Sequence, residues 1–170
     1  MPGKVIGTSF HNGYVGQISR MGDSVVRSRA VKSDSANINF GDPFVVNSDG
    51  TVSKFGASNV AANFAGVAAR RVKSATSYPN QSLAYYAPQE LLDGVERGGV
   101  CVVCNVGTPT VGGDVYIRIA ENAEIPAGVI SGFEAAADST NTIKLTNAKW
   151  GTTKDSNGVT ELIILTRQGV

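Results

Sequence analysis

The stretch Val95–Val106, V-E-R-G-G-V-C-V-V-C-N-V, most narrows what this chain can become. Its middle, Val100–Cys104, is an uninterrupted apolar run that is too short for a lone helix and is mostly β-branched. Gly98-Gly99 precedes it and the turn residues Gly107-Thr108-Pro109 follow, so it reads as a buried strand. Cys101 and Cys104 lie three apart on that strand. Alternation sends them to opposite sides of a sheet, where they cannot share a metal or close a disulfide. The chain offers no second Cys pair and no His cluster to complete four ligands, so packing thiols are the better reading.

Other short segments repeat the pattern. Val25–Val31 alternates as a half-buried strand, and Ile38 and Phe40 follow in alternation. Phe44–Val46 and Thr51–Ser53 flank Asn47-Ser48-Asp49-Gly50, a hairpin signal. Asp114–Ile119, Val129–Phe133, Thr142–Leu145 and Glu161–Leu165 continue the series, with a clear turn at Asp155–Gly158. Segments at this spacing, with 20 glycines in 170 residues, describe one all-β domain, sandwich-like or barrel-like, over residues 17–170. Residues 57–73 are ambiguous. Val60, Phe64, Val67 and Arg71 fall on helical spacing, yet Gly66 and the alanines also suit a close-packed strand, so at most one short helix is expected, near residues 57–66.

Residues 1–16 show neither periodicity and carry only Phe10 and Tyr14 as large anchors; they read as an extended N-terminal arm poised to touch a neighbour. Net charge is +1, too weak a field to call for nucleic acid or membrane. The charge is uneven, with nine Lys and Arg against four Asp and Glu in residues 1–85, and six against ten in residues 86–170. Such halves can self-associate or dock through complementary patches. No secretory signal or run of ~18 apolar residues is visible, so synthesis in a cytoplasm is expected, with Asn80-Gln81-Ser82 an accidental sequon.

Catalytic chemistry finds no foothold. His11 is the one histidine and there is no Gly-x-Ser-x-Gly elbow. Gly107–Asp114 lacks the Gly-Lys-Ser/Thr ending of a phosphate loop, and Asp155–Gly158 lacks the later ligands of a calcium loop. No cofactor or metal is expected. Arg70, Arg71 and Lys73 form the densest basic cluster, too small for nucleic acid but able to meet an acidic partner. Tyr78, Tyr85 and Tyr86 sit in a loop-like stretch and leave open a carbohydrate-binding or host-adsorption module.

Several stretches, in order, resemble one family: Gly13–Ile18, Ile38–Pro43, Phe64–Ala68 with Arg70-Arg71-Val72, Tyr86-Ala87-Pro88 leading into Val95–Val100, Gly113–Tyr116, and Thr152–Gly158 before the last strand. Together they resemble the structural cement, or head-decoration, proteins of tailed bacteriophages. The resemblance implies a non-enzymatic protein on the outside of an icosahedral capsid, usually a homotrimer at junctions between major capsid protein subunits. It supplies no catalytic residues, and the Cys101/Cys104 pair is not a feature of the family. Contact residues expected on this reading are Phe10, His11 and Tyr14 of the arm, with Arg70 and Arg71.

Overall fold

A computed structural model describes residues 11–72 and 84–167. Its longest strand contains the run from which the sequence was read. Among the described residues eleven strands succeed one another: β1 (Ile18–Ala30), β2 (Ile38–Asn39), β3 (Pro43–Val46), β4 (Val52–Lys54), β5 (Gly66–Ala68), β6 (Tyr85–Tyr86), β7 (Leu91–Val106), β8 (Asp114–Arg118), β9 (Phe133–Glu134), β10 (Thr142–Trp150) and β11 (Val159–Ile164). The described residues contain no α-helix; a single 3-10 turn spans Ala61–Asn63.

β7 is long enough, at 16 residues, to serve two structures in succession. Its C-terminal half closes a five-stranded barrel in the order β7-β11-β10-β8-β9. β11 pairs antiparallel along it with Glu161 opposite Cys101, and β9 returns parallel with Phe133 opposite Cys104. Its N-terminal half leaves the barrel, flanked by β1 on one edge and β5 on the other. β5 leads into β3 and β4, and the small pair β2–β6 completes this second layer.

Two apolar clusters result. Inside the barrel are Val100, Val102, Cys104, Val115, Phe133, Trp150 and Leu162. Under the second layer are Ile38, Phe44, Val52, Tyr86 and Leu92. Burying a Val or Leu side chain is worth about 1.5–3 kcal/mol, so the β-branched run of β7 does double duty as wall and filling. The all-β barrel expectation is met.

The ambiguous stretch follows its strand reading: after a 3-10 turn at Ala61–Asn63, Val67 lies in β5, and Val60 and Phe64 are extended, so the helical spacing is not used. In β5 a Cβ on Gly66 would overlap the Val95 carbonyl oxygen, so only glycine lets the two backbones approach. Three local expectations need correction. Val25–Val31 is strand as far as Ala30, but its covered face is thin: Val25 and Arg29 are half-buried, no described side chain of β1 is fully buried, and full burial begins at Val31. Val129–Phe133 is strand only at its end, because Ser131 takes a positive φ of 68° and the preceding residues turn. Tyr85–Tyr86, read as loop, pairs with Ile38–Asn39.

Candidate functional site

Residues 11–17 lie across the outer face of β7 as a strap. Asn12 is its main fastener: the backbone N–H donates to Asp155 Oδ2 at 3.0 Å, and Nδ2 donates to the carbonyls of Thr153 (2.7 Å) and Val159 (2.8 Å). Gly16 N–H donates to Cys101 O at 2.7 Å and Cys101 N–H to Gln17 O at 2.8 Å. On the strap's other side Arg70 N–H donates to Gly16 O at 2.7 Å. Gly13 has φ +126°, and a Cβ there would stand 2.9 Å from Cys101 Sγ, so glycine is required by both conformation and space.

The two thiols point to opposite sides of β7, as the spacing demanded. Cys104 faces the barrel interior, while Cys101 faces out and is sealed by the strap, its Sγ donating to Asn12 O at 3.1 Å. Both are buried and free. Burial raises the pKa of each, so neither behaves as a reactive thiolate.

The strap organises most of the expected contact residues. Tyr14 projects from it, 70% exposed, and the Arg70 guanidinium lies 5.2 Å from its ring centre and 6.0 Å from that of Phe40. Tyr14 and Arg70 therefore form one exposed aromatic and cationic unit. Arg71 turns the other way, onto Tyr86 at 5.5 Å, and is engaged by Asp93 (3.4 Å) and Glu90 (3.8 Å). His11 sits at the far end of the strap, its Nδ1 3.6 Å from Asp155 Oδ2 and 3.2 Å from Asn157 Nδ2. Phe10 and Tyr78 lie outside the described residues. Tyr86 is fully buried, its hydroxyl donates to Ala69 O at 2.8 Å, and burial pushes its pKa up to about 12, so it offers no stacking face to a sugar.

The Asp155–Gly158 turn does more than reverse the chain. Burial works to raise the Asp155 pKa, but backbone N–H groups of Asn12, Val159 and Asn157, with His11 nearby, outweigh it and hold the carboxyl below its ordinary value. The turn is the strap's anchor, and the described residues contain no cluster of three or more His, Cys, Asp or Glu able to hold a metal ion.

A family model described as structural cement protein (E217 gp24/Pam3 gp6) matches residues 3–165. The chain belongs to the phage structural cement proteins. A chain of the solved structure "The capsid of Myoviridae Phage XM1" has a similar fold, with a TM-score of 0.68 over 95% of each chain at 14% identity. Among curated proteins nothing matches. Membership gives this cement protein a structural role in the phage capsid.

Two features of the cement protein escaped sequence reasoning. One is a carboxylate, Glu96, fully buried on β7 beneath Arg27 (3.7 Å), Arg29 (3.4 Å) and Arg167 (2.8 Å). The other is a fully buried pair, Arg118 and Glu134, under the loop of residues 121–132. Arg118 Nε and Nη2 reach the two Glu134 oxygens at 2.5 and 2.9 Å, and Nη1 reaches Asp138 at 2.7 Å. Alternation gave a signal for the first, since Arg27 and Arg29 share one face of their strand; it gave none for the second, because Arg118 and Glu134 alternate with the barrel-lining Ile117 and Phe133 and are buried by the loop that covers them.

Proposed function

We propose that the protein is a non-enzymatic capsid cement that binds the exterior of an icosahedral phage head as a homotrimer, at junctions between major capsid protein subunits. Family membership over residues 3–165 carries this reading. The geometry supports it. The strap fastens residues 11–17 to their own barrel, with His11 and Asn12 held beside the Asp155–Gly158 turn. Residues 1–16 then act as an arm with an anchored root, and Tyr14 with Arg70 forms an exposed contact beside it. His11 and Arg71, already engaged within the chain, serve the contact from its edges. A protein that binds only the assembled lattice stabilises that lattice by mass action, and several contacts per trimer gain avidity without tight single sites.

The test is co-sedimentation with empty expanded capsids, scored by stoichiometry. Removing residues 1–10 spares the strap and its hydrogen bonds, so a folded truncated protein with sharply reduced occupancy is expected. Unchanged occupancy would refute the arm's part in binding. Wild-type protein that fails to sediment with capsids at all would refute the reading as a whole.

A further inference from the structure

Three arginines meet at one carboxylate on β7. Glu96 falls at a shift in the register with β1, where Val25 lies opposite Arg97 and Val26 opposite Val95, so it has no partner of its own on that strand. A bulge of this kind re-aims a side chain. Here the carboxylate comes to lie fully buried beneath Arg27 and Arg29 of β1 and Arg167, just beyond β11.

The cluster is unbalanced in charge and in hydrogen bonds. Arg167 makes the close contact, its Nε and Nη2 reaching Glu96 Oε2 at 2.9 and 2.8 Å. Arg29 reaches Oε1 through Nε alone, at 3.4 Å, and Arg27 stands 3.7 Å from Oε2, too far for a hydrogen bond. The terminal Nη groups of Arg27 and Arg29 therefore donate to nothing among the described residues. Neighbouring acids are engaged elsewhere, Asp93 by Ser28 and Arg71 and Asp23 by Arg97. The Arg29 side chain is only 18% exposed, so part of this surplus charge is held away from water, where unspent donors are costly. The cluster opens to solvent at Arg27 and Arg167, 46% and 32% exposed.

We propose that Arg27, Arg29 and Arg167, gathered over Glu96, form an oxyanion site that takes one further carboxylate or phosphate group. A guanidinium presents its N–H groups as a planar fork that fits two oxygens of one such group. Arginines converging on a single point suit a single oxyanion, whereas a nucleic-acid backbone calls for a longer basic stripe. Glu96 is the frame: it keeps three like charges together while leaving most of the donors of Arg27 and Arg29 unspent. The oxyanion has two sources, an acidic side chain on the capsid or free phosphate.

Isothermal titration calorimetry of the full-length protein with inorganic phosphate, in a chloride buffer at constant ionic strength, reads the site directly. Wild type is expected to bind one phosphate per chain. Arg27→Gln leaves Glu96 its two nearer arginines, so circular dichroism should be unchanged while phosphate binding weakens about tenfold or more. Arg27→Lys keeps the charge without the fork and is expected to fall between the two. Lys144→Gln removes an equal charge from β10, where Asp114 holds it, and should leave binding unchanged. A wild type that takes up no phosphate, or an Arg27→Gln affinity equal to wild type, overturns the proposal. So does a Lys144→Gln loss as large as that of Arg27→Gln, which would reduce the effect to overall charge. Capsid co-sedimentation in phosphate and in chloride then separates the sources. Occupancy lowered both by Arg27→Gln and by phosphate supports the site with a capsid carboxylate as its occupant; occupancy indifferent to both, with phosphate binding intact, supports it with the free anion. Wild type that never sediments with capsids sinks the cement reading, and the phosphate titration alone then decides for or against the site.

Discussion

Glu134→Gln tests how the barrel holds the loop above it. Arg118 and Glu134 are both fully buried, with two hydrogen bonds between them and a third from Arg118 to Asp138. Gln keeps the shape but removes the charge and turns an N–H₂ toward a guanidinium that has only donors. Breaking one partner of a buried ion pair costs about 3–5 kcal/mol. Asp138 remains on Arg118, so the lower end, about 3 kcal/mol, applies. That is a large share of the 5–15 kcal/mol typical of a domain, and in a chain of this length it lowers Tm by about 6–12 °C. Urea titration at pH 7 with calorimetry measures both. Replacing the pair together, Arg118→Met with Glu134→Leu, removes both charges and is expected to recover most of the loss. A single-variant cost below about 1 kcal/mol, or a double variant no more stable than the single, would refute the reasoning.

Asn12→Ala removes two strap hydrogen bonds and leaves the Thr153 and Val159 carbonyls without them, costing about 1–3 kcal/mol. Labelling by a thiol reagent should then reach Cys101 faster while Cys104, inside the barrel, is unchanged; equal rates in wild type and variant would mean that the strap does not seal the thiol. Acid should destabilise the fold through three carboxylates held below their ordinary value: Asp138 by Arg118 and Asn122, Asp114 by Lys144 and Lys149, and Asp155 by backbone N–H groups against the effect of burial. A depressed folded pKa contributes stability that is present above the unfolded value of about 3.9 and lost as pH falls through the folded one. Tm should therefore hold above about pH 5 and decline below about pH 4; a Tm that rises on acidification would reverse the assigned sign.

Local chemistry made the strands legible. The run Val100–Cys104, the hairpin around Asn47–Gly50 and the turn at Asp155–Gly158 each carry their own instruction, β-branching or turn residues, and each appears where that instruction points. The opposite orientation of Cys101 and Cys104 follows from the period of a strand alone. Partners are another matter. Val25–Val31 alternates like a half-buried strand, but whether a face is covered depends on what packs against it, and in the tertiary structure only Ile18 of β1 packs against a core among the described residues, with full burial starting at Val31. Asn12 and Asp155 meet across 143 residues, and Glu96 gathers arginines from β1 and from Arg167 near the other end of the chain. The sequence by itself determined an all-β chain with one central apolar strand, because strand period and turn chemistry act over a few residues. Only the tertiary structure decided that this strand closes a barrel, that a strap seals Cys101, and that Glu96 is buried beneath three arginines, because those outcomes depend on which distant surfaces compete to cover each other.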